Sequence, residues 1–138
     1  MSAVTKFLFR VPYSCSTPAQ IIGWWEARRF PFNLAVGAAG VVTLLATHLI
    51  AALPPHSQPI PLFPSLAVAG AYGVLANVCY TLGWVAELFI RRHASQDLEA
   101  MGAALFRYGL AFSVGLTLIP IAFVTLLKTA WVLAVVLY

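Results

Sequence analysis

Residues 65–90 read SLAVAGAYGVLANVCYTLGWVAELFI, an apolar run carrying a single carboxylate near its end. At ~1.5 Å of rise per residue such a run crosses the ~30 Å hydrocarbon layer of a bilayer as a helix. Within it Gly70, Gly73, Asn77, Tyr80, Trp84 and Glu87 follow one another at alternating steps of three and four. Those steps hold residues on one side of a helix. Lipid penalises an exposed amide or carboxylate by several kcal/mol, so this seam is expected to face protein or water, as a helix-packing surface or a pathway.

Two further apolar stretches flank this one. Residues 33–53 and 104–127 are each long enough to cross, and the whole chain is 62% hydrophobic and 9% charged over 138 residues. Soluble domains carry about 25% charged residues, so the composition is that of a bilayer protein. The expected fold is an all-α integral membrane protein, a single membrane domain over residues 1–138. Its parts are a cytoplasmic and interfacial segment (1–32), three transmembrane helices (33–53, 65–90, 104–127) and an apolar tail (128–138).

Thr17, Pro18 and Gln20 supply helix-start chemistry: a hydroxyl cap, a proline at the first position and a capping-box glutamine. The following run places Trp24 and Trp25 beside Arg28 and Arg29, which predicts a short amphipathic helix on the headgroups that bends at Phe30-Pro31. Arg91 and Arg92 close the second span and join Trp24, Trp25, Arg28 and Arg29 as expected contacts for anionic lipid headgroups. Ser95 is a candidate cap for a helix running into the third span. The loop between the first two spans holds prolines 54, 55, 59, 61 and 64, which predicts a stiff extended connection. Beyond Lys128 the chain is apolar to Tyr138, and a helix continuing from Ala104 would be too long for the bilayer. The tail is therefore expected to bend back, lie on the surface or dock on a partner.

The net charge of +4 is unevenly spread. Lys6, Arg10, Arg28, Arg29, Arg91, Arg92 and Arg107 all fall on one side of the membrane if the N-terminus is cytoplasmic, and only Lys128 falls on the other. This is the positive-inside pattern, and nucleic acid is not an expected partner. Small residues define two further faces. Gly37 and Gly40 mark the first span, while Gly109, Ser113 and Thr117 recur at steps of four on the third, as a mate for Gly70 and Gly73.

Chemical motifs are sparse. Glu87 precedes Arg91 by four residues, the spacing of an intrahelical ion pair. His48 has no second intramembrane histidine for haem or metal, Cys79 reads as a small buried apolar residue inside a span, and Cys15, on the cytoplasmic side, is not expected to form a disulfide with it. No metal, cofactor or catalytic residue is expected.

The strings Trp24-Trp25-Glu26-Ala27-Arg28-Arg29 with Asn33, and Asn77 through Leu88, resemble patterns in small bacterial membrane proteins to which no activity is attached. The resemblance implies a bacterial inner membrane and carries no function. The first functional expectation is a non-enzymatic subunit that assembles with itself or with a larger membrane complex. The alternative is a small oligomeric channel or transporter with Asn77, Tyr80 and Glu87 lining the path. The third is a lipid-modifying enzyme using Glu87 with the arginines.

Overall fold

The computed structural model describes residue 7 and residues 17–54, 59–93 and 101–137. The expectations for Lys6, Arg10, Cys15, Ser95 and Tyr138 fall outside the described residues. The described chain forms three long helices, α1 (Pro18–Ala52), α2 (Leu62–His93) and α3 (Met101–Leu137). Each is long and apolar enough to cross a membrane. Large apolar side chains point outward on all three, among them Leu34, Leu45, Phe63, Val74, Phe112 and Val136. A surface of this kind is consistent with a membrane location.

α1 starts as its sequence dictates. Thr17 is the cap, its hydroxyl accepting from the Gln20 amide at 3.4 Å while the Gln20 side chain accepts from the Thr17 amide at 3.1 Å. Pro31 does not end a separate helix: α1 is one helix of 35 residues that passes through the proline. An internal proline removes one hydrogen bond and crowds the preceding turn, at roughly 3 kcal/mol. Packing on both sides opposes a break. Ile21, Trp24, Trp25 and Arg28 before Pro31, and Phe32 and Val36 after it, are all buried. The segment expected to be a separate interfacial helix is thus the first third of α1.

α2 is longer than the sequence implies by about a turn at its N-terminal end. Ser65 turns its amide (3.4 Å) and hydroxyl (2.9 Å) onto the Pro61 carbonyl, and Pro64 sits in the first turn, where a missing N–H leaves no hydrogen bond broken. At the other end Arg91, Arg92 and His93 occupy the last turn, the favourable place for positive charge.

α3 also runs further than expected. It continues through Pro120 and past Lys128 to Leu137 without the bend anticipated for the tail. No glycine or proline lies between Lys128 and Leu137, and the Thr129 hydroxyl bonds back to Thr125 at 2.9 Å, so nothing local stops the helix. Lys128 donates to the Leu53 carbonyl at the end of α1, which levels those two points. The last turns of α3 therefore extend past α1, with Val132 to Leu137 exposed.

α1 and α3 make the most extensive contact, and α2 is the least buried of the three helices. The core lies toward one end, where the N-terminal halves of α1 and α3 meet the C-terminal half of α2. Trp24, Trp25, Phe32, Tyr80 and Phe106 form its centre.

Candidate functional site

Glu87 is the buried carboxylate of this core, 2% exposed. Arg91, one turn further along α2, holds one oxygen from Nε at 2.9 Å and from Nη2 at 2.8 Å. The Trp25 indole N–H of α1 donates to the other oxygen at 2.6 Å. Gly102 of α3 closes the third side: a Cβ there would stand 2.6 Å and 2.9 Å from the two carboxylate oxygens. One ion thus joins all three helices, and it does so only because residue 102 has no side chain.

Trp25 is fixed from several directions. Its ring lies across Gly83, where a Cβ would come within 2.8 Å of the indole. Its carbonyl accepts the Tyr80 hydroxyl. Edge-on aromatic contacts with Tyr80 at 5.3 Å, Trp24 at 5.7 Å and Phe106 at 6.0 Å complete the shell. Tyr80, Gly83 and Glu87 share one face of α2, so a helical repeat of three and four residues places all three against the same tryptophan.

A second polar group lies beside this core. Arg29 pairs with Glu26 at 2.7 and 2.8 Å on the surface of α1 and makes longer contacts with Asn77 (3.4 Å) and Thr81 (3.3 Å). The Asn77 amide donates to Asn33 at 2.8 Å and to the Gly73 carbonyl at 3.0 Å. Arg28 is buried. It stacks on the Trp24 ring at 3.9 Å, donates to the Trp24 carbonyl at 2.7 Å, and also reaches the Phe7 carbonyl.

The sequence-derived seam therefore divides. Tyr80 and Glu87 are buried, Trp84 packs on the edge of the core, Asn77 lines the α1–α2 boundary, and Gly70 is exposed. Trp24, Trp25 and Arg28, expected among the headgroups, are inside the bundle, whereas Arg92 is exposed, and Cys79, expected to be buried, is exposed on α2. The proposed mating of Gly70 and Gly73 with the α3 face is not made. Nothing lies within 4 Å of a Cβ at Gly70, Gly73, Gly37 or Gly109. Instead the Tyr72 hydroxyl reaches the Ser113 carbonyl at 2.7 Å, the Thr43 hydroxyl reaches the Thr117 carbonyl at 2.8 Å, and a Cβ on Gly40 would stand 4.0 Å from the Thr117 methyl. Tyr72 and Thr43 were missed because a lone tyrosine or threonine in an apolar run carries no partner signal.

His48 turns Nδ1 onto the Leu44 carbonyl at 2.7 Å, and its other nitrogen is buried without a hydrogen-bond partner among the described residues. Away from the aromatic core, a cleft of about 650 Å³ opens among the three helices. Val36, Gly37 and Thr43 of α1, Tyr72 and Gly73 of α2, and Thr117 of α3 are among its lining residues. Comparison of the chain with protein families, with curated proteins and with solved structures gave no match.

Proposed function

We propose that this chain is a non-enzymatic membrane subunit, seated in a bacterial inner membrane with its N-terminus cytoplasmic, that assembles with itself or with a larger membrane complex. What supports this reading is the enclosure of Glu87. Its oxygens are taken by Trp25 and Arg91 and covered by Gly102, so the strongest polar group serves as a junction between helices. Of the three residues named for a channel path, Tyr80 and Glu87 are buried, and Asn77 lines the cleft. The exposed turns of α3 beyond Lys128 and the open glycines supply surfaces suited to a neighbouring helix. Orientation follows from the basic end of the bundle, where Arg29, Arg91, Arg92 and Arg107 gather.

Native mass spectrometry of the chain released in mild detergent tests the assembly. A fixed stoichiometry with itself or other chains is expected, together with unchanged ion flux for Glu87→Gln in vesicles. A monomer, or a conductance altered by Glu87→Gln, would overturn the reading.

A further inference from the structure

The bundle is packed by two different means along its length. Near the N-terminus of α1 the large rings of Trp24, Trp25, Tyr80 and Phe106 are buried together with Arg28 and Glu87. Past Val36 on α1, and at matching heights on the other helices, the buried side chains are Thr43, Thr47, Ser113 and Thr117. Water drives the burial of large apolar groups, whereas helices among acyl chains gain nothing from it and associate through small and hydroxylated residues. The change of packing therefore reports a change of solvent.

The outward-facing side chains change at the same height. No large apolar side chain is exposed on α1 before Phe30 or on α3 before Tyr108; beyond them Leu34, Leu45, Phe112 and Phe123 are exposed. Both switches directly follow an arginine, Arg29 and Arg107. Arg29 reaches Thr81 of α2, which stands six residues before Glu87, and Arg107 stands five residues after Gly102, which covers Glu87. Both arginines thus lie about 7–9 Å along the helix axes from the Glu87 junction. At the other end Lys128 bonds to the Leu53 carbonyl. From Arg107 to Lys128 the rise is about 32 Å, and from Thr81 back to Leu62 about 29 Å, against a hydrocarbon layer of ~30 Å. A layer moved toward Arg91 would leave Leu49, Phe63 and Leu126 in water; moved the other way, it would cover Lys128.

We infer that the bilayer is seated on the outer part of the bundle, with its inner hydrocarbon boundary at Arg29, Thr81 and Arg107. The aromatic core with the Glu87 junction then forms a cap in the headgroup layer and the water beyond it. This seating rests on the membrane reading of the chain and not on its assembly with other proteins. The headgroup layer is roughly 5–7 Å deep on each side, so Glu87 and Arg91 stand at its far edge, where their ion pair is spared the cost of hydrocarbon. Arg107, 5.6 Å from the Tyr108 ring and without a carboxylate partner among the described residues, stands at the height of the lipid phosphates. Only α2 carries an exposed apolar strip, Leu82, Val85 and Phe89, through the cap, and the seating can be read along it.

The test places single spin labels at exposed positions of α2 in the full chain, with Cys15 and Cys79 replaced by serine, in vesicles of phosphatidylcholine and phosphatidylglycerol. Collisions with dissolved oxygen and with a water-soluble nickel chelate on both sides of the membrane report depth. Val78→Cys should be reached by oxygen and shielded from nickel. Phe89→Cys should meet nickel at least about tenfold more often, because the polar chelate is excluded from hydrocarbon. Val85→Cys should fall between them. A Phe89→Cys label as shielded as that of Val78→Cys would overturn the seating and leave the membrane reading standing, with Glu87 inside the hydrocarbon. Nickel reaching Val78→Cys as freely as Phe89→Cys would overturn the membrane reading and the seating with it.

Discussion

Replacing Gly102 by alanine tests the three-helix junction at its tightest point. In an ordinary helix this change is favourable by up to about 1 kcal/mol. Here the new methyl would lie 2.6 Å from one Glu87 oxygen, 2.9 Å from the other and 3.0 Å from the carboxyl carbon. The carboxylate has to retreat by several tenths of an ångström, and it is tethered by Trp25 at 2.6 Å and by Arg91 at 2.8 Å. Loss of a hydrogen bond to a charged group costs roughly 1.5–3 kcal/mol, and overpacking a tight site typically 1–3 kcal/mol. Set against the propensity gain, Gly102→Ala should destabilise the bundle by about 1–3 kcal/mol. Thermal unfolding in detergent, followed by tryptophan fluorescence, measures it. The decisive comparison is the same substitution in a Glu87→Ala background, where the obstacle is gone and the alanine should be neutral or stabilising. A coupling of at least ~1 kcal/mol between the two positions is expected. If Gly102→Ala raises stability in the otherwise native chain, the junction described for Glu87 is wrong.

Three other substitutions bear on the packing. Pro31→Ala restores a donor for the Ala27 carbonyl in a helix that is already continuous, so thermal stability should rise, by up to ~3 kcal/mol; a fall would indicate that the chain needs a bend there. Trp25→Phe keeps an aromatic ring but removes the donor to Glu87, and should cost roughly 1.5–3 kcal/mol in the same unfolding assay. Thr43→Val removes the hydroxyl that crosses to the Thr117 carbonyl at 2.8 Å, and should cost about 0.6–2 kcal/mol, the range for hydrogen bonds between membrane helices.

The three helices are legible in the sequence because apolar length is a direct requirement of the bilayer, and the Thr17 cap is legible because its chemistry is local. The Glu87–Arg91 pair is equally local, four residues apart on one helix. Local signals mislead where packing overrides them. Pro31 reads as a boundary between two helices, yet buried side chains on both sides keep α1 continuous through it; Lys128 reads as an end, yet no residue after it breaks α3. Trp24 and Trp25 carry the composition of an interface while serving as core, since tryptophan suits both settings and only the neighbouring helices decide. Contacts such as Trp25 with Glu87 or Tyr72 with Ser113 join residues far apart in the chain, and nothing at either position names the other. A glycine likewise announces a close approach without its partner, so Gly83 and Gly102 gained meaning only once Trp25 and Glu87 were placed against them.

The central claim is that the chain crosses a membrane three times with its basic end inside, and site-directed thiol labelling of intact cells tests it most directly. With Cys15 and Cys79 replaced by serine, an impermeant maleimide should modify Leu53→Cys from outside, and Arg92→Cys only after the membrane is opened. Labelling of both positions from the same side, or of Arg92→Cys alone from outside, would contradict the account.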